Sequence, residues 1–232
     1  MFTFKQFKID DSACAMKVGT DGVLLGAWTD VSDSRTCLDI GTGSGLIALM
    51  LAQRTTDMTI DAIDIDCECV SQAEKNIDST PFCDRVNVRQ ADFREIHDEK
   101  RYDIIVSNPP FHKEDTGCPD DKRDKARHTS SLSFDELIRG AKDKLTDNGR
   151  FCVIIPAEAS MDFIGEAARH KLYLERRTDV KTTQRKHPKR VMLSFTRDAK
   201  NQTQFSTLII KDENNEYSSD YRLLTKDFYL GF

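Results

Sequence analysis

The residues with the clearest chemical use stand where a strand-like run stops. Tyr102-Asp-Ile-Ile-Val-Ser107 leads directly into Asn108-Pro109-Pro110-Phe111. Two successive prolines fix φ, end a strand and make a rigid shelf. Such a shelf aims the Asn108 side-chain oxygen and the Pro109 carbonyl into one space, while Phe111 offers a ring that can stack on a planar base, worth ~1–3 kcal/mol. An exocyclic amine is a poor nucleophile because its lone pair is delocalised into the ring. Two acceptors that bind its two N–H groups draw the nitrogen toward tetrahedral geometry and localise that lone pair. Orientation and electrostatic preorganisation then carry the catalysis, with no strong base. The competing reading of the tetrad is a bare structural stop.

A second set of residues surrounds a glycine-rich turn, Asp39-Ile-Gly41-Thr-Gly43-Ser-Gly45, between the run Thr36–Ile40 and the apolar stretch Leu46–Gln53. Glycine permits the tight turn and lets a ligand approach the backbone, although an ordinary strand-to-helix turn would account for the glycines alone. The spacing is GxGxG and not the GxGxxG of dinucleotide sites, so a nicotinamide-dependent oxidoreductase is a poor fit and would leave Asn108–Phe111 unexplained. Asp39 suits a ligand bearing an ammonium group. Asp64, at the end of the next run, suits a ribose diol. Asp92 is placed to accept from an adenine amine, and Ile65 and Phe93 to pack on the base. S-adenosylmethionine combines these groups in one molecule, and its sulfonium methyl is the electrophile that an activated amine needs.

Short β-branched runs alternate with helical spacing, as in a βαβ sheet. Strands are expected at Thr36–Ile40, Thr59–Ile65, Val86–Gln90, Tyr102–Ser107 and 150–155, with helices at Leu46–Gln53, about 67–76 and 157–170. Ser133-Phe-Asp-Glu136 opens a further helix as a capping box, with Asn148-Gly149 as its expected end. Runs at 172–178, 191–196 and 205–210 lie too close together for helical crossovers, which predicts antiparallel pairing at a sheet edge. Residues 1–35 are expected to form an extension, with a short helix over Gly22–Trp28 as a lid before the first strand–helix turn. No linker divides the chain, so residues 1–232 are expected to form one domain.

Net charge is −5, yet the basic residues cluster. Lys122, Arg123, Lys125 and Arg127 follow the tetrad, and Lys181, Arg185, Lys186, Lys189 and Arg190 form an acid-free run. Local basic patches on an acidic body can hold a phosphate backbone; solvated surface loops are the plainer reading. The seven cysteines lack the paired spacing of a zinc site, so reduced thiols and no metal are expected. No apolar run reaches the ~20 residues that span a bilayer, and the N-terminus lacks an apolar signal core. A cytoplasmic chain with no membrane partner is expected.

Asp39–Gly45 together with Asn108–Phe111 resembles the class I methyltransferases that act on amino groups of adenine, guanine or glutamine. Phe2-Thr-Phe-Lys-Gln-Phe7, Cys14-Ala-Met-Lys-Val-Gly-Thr-Asp-Gly22, Leu25-Gly-Ala-Trp28, Leu49–Arg54 and Phe228-Tyr-Leu230 are similar to one family in particular, the bacterial tRNA1(Val) (adenine-N6)-methyltransferases. The resemblance covers essentially the whole chain. It implies a Rossmann-like α/β fold, with a seven-stranded, mostly parallel sheet, an antiparallel edge and helices on both faces. It implies S-adenosyl-L-methionine as cofactor, held by Thr20, Asp39, Gly41, Gly43, Gly45, Asp64, Ile65, Asp92 and Phe93, with Asn108, Pro109, Pro110 and Phe111 as the catalytic tetrad. The implied substrate is the adenosine 3′ of the anticodon of a valine tRNA, its anticodon arm held by Lys17 and the two basic runs; the sequence leaves the oligomeric state open, with a monomer favoured. Phe111 leaves the base open, because adenine-N6 enzymes often carry Tyr there and Phe-His is common in guanine-N2 rRNA methyltransferases. Glutamine-N5 methyltransferases are a third reading. The guanine and glutamine enzymes usually carry an additional domain, and the chain's length favours adenine in tRNA.

Overall fold

A computed structural model describes residues 1–110, 132–199 and 202–232. In chain order the elements are β1 (Phe2–Thr3), β2 (Lys8–Ile9), α1 (Thr20–Trp28), β3 (Thr36–Ile40), α2 (Leu46–Gln53), β4 (Thr59–Asp64), α3 (Cys67–Asp78), β5 (Val86–Gln90) and β6 (Tyr102–Ser107). After the segment that is not described come α4 (Phe134–Lys144), β7 (Leu145–Pro156), α5 (Ser160–Arg169), β8 (Tyr173–Thr183), β9 (Arg190–Thr196), β10 (Gln204–Lys211) and α6 (Ser219–Thr225). Among the described residues the main sheet has eight strands in the order β10-β8-β9-β7-β6-β3-β4-β5, and β1 and β2 form a separate antiparallel ribbon.

The parallel half follows from the apolar runs. In β3 and β6, Cys37, Leu38, Ile40, Ile104, Ile105 and Val106 are all buried, because helices cover both faces, as parallel sheets require. One core contains α1, α2 and residues of α3 and α6 (Val23, Leu24, Leu49, Met50, Ile77, Tyr221). The other packs α4 and α5 through Leu137, Ile138 and Phe163 onto Ile105, Phe151 and Phe195. Helix α4 begins as its sequence dictates: Ser133 and Glu136 form a reciprocal capping box, which satisfies two N-terminal donors.

Three expectations are corrected. The sheet has one strand more than the seven expected. The antiparallel strand is β9, which runs against both β7 and β8 and so lies inside the sheet, while the edge strand β10 is parallel to β8. The β8–β9 hairpin returns the chain to the starting end of β8, so β10 can pair in parallel without a helical crossover. Helix α4 ends at Lys144, not at Asn148-Gly149, because β7 already pairs Leu145 with Tyr102. Its ladder then shifts register before Ile104↔Arg150, a bulge that takes up the turn residues.

The N-terminal helix is not a detachable lid. Every residue of α1 from Gly22 to Trp28 is buried; a helix apolar all round belongs inside a core. Phe4, Phe7 and Ile9 are buried in the same core. Lys5 ties the β1–β2 ribbon to the C-terminus, its Nζ donating to the carbonyls of Lys226 (2.6 Å) and Phe232 (2.8 Å). Only residues 14–22 face the cavity described below.

Candidate active site

Strands β4 and β6 lie on opposite sides of β3, which makes the carboxyl end of β3 a topological switch point, the place where open α/β sheets bind ligands. A cavity of about 930 Å³ opens there. Its walls include Gly41, Thr42 and Gly43 after β3, Asp64, Ile65 and Asp66 after β4, Ala91, Asp92 and Phe93 after β5, and Ser107, Asn108, Pro109 and Pro110 after β6. Residues 14–22, Cys69, Arg94, Leu132 and Arg190 also line it. Strand ends far apart in sequence therefore converge, and that convergence holds Thr20, Gly41, Gly43, Asp64, Ile65, Asp92, Phe93 and Asn108 to Pro110 around one space.

The glycine turn needs its glycines for different reasons. Gly41, Gly43 and Gly45 have φ of +71°, +56° and +84°, a region L side chains rarely adopt. A Cβ on Gly41 or Gly43 meets no protein atom within 4 Å, whereas one on Gly45 would touch Ile77 and Ala73. The first two keep cavity space free for a ligand; at the third a Cβ would make only ordinary van der Waals contact, so its positive φ is what calls for glycine. Gly45 shapes the turn away from the cavity wall, in place of the expected ligand contact.

Asp39 also departs from expectation. It is fully buried beneath the turn and not on the cavity wall. Its Oδ2 accepts from the Thr42 hydroxyl (2.7 Å) and the Ala48 amide (3.2 Å), which clamps the turn to the start of α2. Its Oδ1 is buried with no hydrogen-bond partner among the described residues. Burial is the main reason its pKa is pushed up to about 7, against the lowering effect of the Thr42 and Ala48 hydrogen bonds.

Asp64 holds the turn from the other side. Its Oδ2 accepts from the Gly43 amide (2.8 Å) and its Oδ1 from the Asp66 amide (3.0 Å). Each oxygen accepts one of these hydrogen bonds and retains acceptor capacity, and Asp64 lines the cavity, as binding a vicinal diol requires. Asp92 is gripped by Arg94, whose Nε lies 2.9 and 3.0 Å from the two carboxylate oxygens and whose guanidinium reaches Oδ2 at 2.6 Å. The Arg94 hydrogen bonds hold its carboxyl below the usual range. An adenine amine at Asp92 must share or displace that pair.

On the tetrad side, Ser107 donates to the Ile40 carbonyl (2.9 Å) and so ties the end of β6 to β3. Pro109 is buried and Pro110 exposed. Asn108 Nδ2 donates to Met16 Sδ at 3.6 Å. The expected catalytic residue Phe111 and the expected RNA contacts Lys122, Arg123, Lys125 and Arg127 lie outside the described residues.

The remaining basic residues divide. Lys17 and Arg190 are on the cavity wall; Lys181, Arg185, Lys186 and Lys189 are not. Lys17 Nζ donates to the carbonyls of Asp11 (2.7 Å) and Ser12 (3.1 Å), and Arg190 Nε pairs with Asp21 (2.7 Å). Because β8 runs parallel to β7 across the intervening β9, the hairpin from Thr183 to Arg190 lies at the carboxyl end of the sheet. The basic run thus sits on the same edge as the cavity. Sequence reasoning did not single out Met16, Ser107, Asp66, Cys69 or Arg94 as site residues. Met16 was legible only as part of the N-terminal motif, and Ser107 only as a strand residue.

The profile of the methyltransferase small domain family matches residues 14–166. The tRNA1(Val) (adenine(37)-N6)-methyltransferase of Escherichia fergusonii is 42% identical over 232 residues, covering 99% of this chain and 94% of that protein. The chain belongs to this family. Proteins with the same description from Escherichia coli O157:H7 and Shigella flexneri match at the same identity and coverage. Among solved structures, a predicted O-methyltransferase of Agrobacterium tumefaciens superposes with a TM-score of 0.72 at 17% identity, over 90% of this chain and 96% of that one. The glycopeptide N-methyltransferase MtfA, solved with S-adenosyl-L-methionine, superposes at 0.58 and 12% identity, over 78% and 100%. These two likenesses show the class I methyltransferase fold. Family membership makes the chain an S-adenosylmethionine-dependent methyltransferase, and the cavity fits that cofactor: the open sides of Gly41 and Gly43 and the paired acceptors of Asp64 suit a nucleoside. Among the described residues no helix is long and apolar enough to cross a membrane.

Proposed function

We propose that the chain methylates N6 of adenine 37 in the anticodon arm of a valine tRNA, acting as a monomer in the cytoplasm with residues 1–232 as one methyltransferase domain. The observation that carries the reading is 42% identity over 99% of the chain to enzymes of that activity, joined to a cavity that Asn108, Pro109 and Pro110 line together with Asp64 and Asp92. The described cysteines are free thiols, as a reducing compartment requires.

When bound, S-adenosylmethionine supplies an electrophilic methyl group on a sulfonium. Asp64 would accept the ribose hydroxyls, Gly41 and Gly43 leave the backbone open to the cavity, and Thr20 also lines it. Asp92, Ile65 and Phe93 would hold the adenine. Asp39, with an unpartnered oxygen beneath the turn, would offer charge to an ammonium through a bridging water. Asn108 Oδ1 and the Pro109 carbonyl would each accept one N–H of the target amine and orient its lone pair, with Phe111 stacking on the base. The proton leaves after transfer, so no buried general base is needed.

For the substrate, Lys17 and Arg190 border the cavity while Lys181, Arg185, Lys186 and Lys189 occupy the same edge of the sheet. Together with Lys122, Arg123, Lys125 and Arg127 they would contact phosphates, which position an RNA without reading its sequence. A loop nucleotide is cheap to splay into a pocket because it is already partly unstacked.

The test is direct. The protein is incubated with unmodified tRNA and labelled S-adenosylmethionine, and the RNA is digested to nucleosides. Label in N6-methyladenosine is the expected result. Label in N2-methylguanosine would transfer the reading to the guanine enzymes, and label in protein to the glutamine enzymes.

A further inference from the structure

Asn108 can serve as an acceptor only if its carboxamide presents oxygen, not nitrogen, to the incoming amine. The two ends of a carboxamide are nearly equal in size, so packing alone does not choose between them. In this structure the choice is made by a sulfur. Asn108 Nδ2 points at Met16 Sδ, 3.6 Å away, an ordinary N–H···S separation given the larger radius of sulfur. A thioether accepts weakly and donates nothing. Turning the amide over would set its oxygen against a second acceptor and its NH2 against the substrate amine, an unfavourable arrangement on both sides.

Met16 is also held in place. It follows a tight turn in which the Cys14 amide donates to the Asp11 carbonyl (3.2 Å) and the Val18 amide to Asp11 Oδ2 (2.8 Å). Cys14 is buried and anchors the turn from below, while Met16 remains 50% exposed on the cavity wall. An exposed methionine makes a poor surface residue. Facing a pocket that must admit a planar base, its flexible, polarisable thioether is a good wall.

We propose that Met16 is a positioning residue for methyl transfer: its sulfur fixes the Asn108 carboxamide with the oxygen toward the target amine, and its side chain forms the face of the base slot on the N-terminal side. This inference rests on the reading of Asn108 as the amine acceptor. Met16→Leu keeps the volume and removes the acceptor. It should lower kcat about tenfold, in line with the sensitivity of transfer to small misorientation, while KM for tRNA and affinity for S-adenosylmethionine stay within twofold. The side-chain amide resonances of Asn108 should shift in that variant, and replacing methionine by selenomethionine, which keeps an acceptor, should retain wild-type kcat.

The outcomes separate the two claims. If Asn108→Ala is inactive with normal cofactor affinity while Met16→Leu keeps wild-type kcat, the role of Met16 is refuted and that of Asn108 stands. If Asn108→Ala remains active, the acceptor reading fails and this inference with it. Loss of cofactor affinity in Met16→Leu parallel to its loss of kcat would make Met16 a piece of cavity wall only, and would also overturn the proposal.

Discussion

Asp39→Asn should stabilise the ligand-free protein progressively as pH rises from 5 to 8. Asp39 is fully buried, and its pKa stands at about 7 in the folded state against 3.8 in the open chain. A carboxyl whose folded pKa is raised keeps its proton longer in the folded than in the unfolded state. The folded state therefore binds more protons between those two values, and stability falls as pH rises through that window. One pKa unit is worth about 1.4 kcal/mol. The penalty is about 2 kcal/mol at pH 5, where the folded side chain is still neutral, and about 4 kcal/mol at pH 8, where it is ionised in both states. Asparagine carries no such dependence. It can still accept from Thr42 and Ala48, but its amide nitrogen gains no acceptor in place of the orphan Oδ1, which costs about 1–3 kcal/mol at every pH. The difference in stability between Asp39→Asn and wild type should therefore grow by about 2–3 kcal/mol from pH 5 to pH 8. For a chain of this size that is a relative gain of about 4–12 °C in Tm. Thermal unfolding of both proteins at the two pH values, without cofactor, measures it. Parallel pH dependence in the two proteins would refute the picture of an unpaired buried carboxylate. Saturating S-adenosylmethionine adds a second reading: if its ammonium is what Asp39 serves, the wild type should gain more Tm from the cofactor at pH 8 than at pH 6, and the variant should not.

Three further outcomes follow from geometry. Asp64→Ala removes the acceptor of the Gly43 amide and both diol acceptors, so affinity for S-adenosylmethionine should fall at least tenfold, at about 1.5–3 kcal/mol per charged hydrogen bond; calorimetric titration reads it, and unchanged affinity would remove Asp64 from the site. Converting Arg185 and Lys186 together to Ala should weaken tRNA binding and reduce the slope of log affinity against log salt by about 1–2, leaving cofactor affinity alone; an unaltered slope would return the hairpin to plain solvated surface. Gly26→Ala places a Cβ 2.8 Å from Met50 Sδ and 2.9 Å from Met50 Cβ, and this overpacking between α1 and α2 should cost about 1–3 kcal/mol of stability, read by denaturant unfolding; a wild-type midpoint would show that the helix pair can slide apart.

Local chemistry alone determined much of this protein. The strand–turn–helix unit from Thr36 to Gln53 lies where its β-branched run, its glycines and its apolar stretch require, because those signals act over a few residues. The same holds for the Ser133–Glu136 capping box and for β6 stopping at two prolines. Candidate site residues were legible for the same reason: strand ends are where glycine, acid and proline interrupt an apolar pattern. Asp64, Asp92 and Asn108 therefore stood out before any fold was known.

Tertiary structure alone decided what depends on partners far apart in sequence. Whether Asp39 faces a ligand or clamps the turn depends on the depth to which α2 buries it, and sequence carries no depth. The place of β9 inside the sheet and of β10 at its edge follows from which strand captures the β8–β9 hairpin, a competition among neighbours of similar composition. The helix from Thr20 to Trp28 became core and not lid because α2 offers it a second apolar surface. Met16 meets Asn108 only because β6 ends beside the N-terminal turn, 92 residues away in the chain. Hydrogen-bonded spacing of a few residues can be read along a sequence; the direction in which a carboxamide points depends on an atom that only the folded chain brings to it.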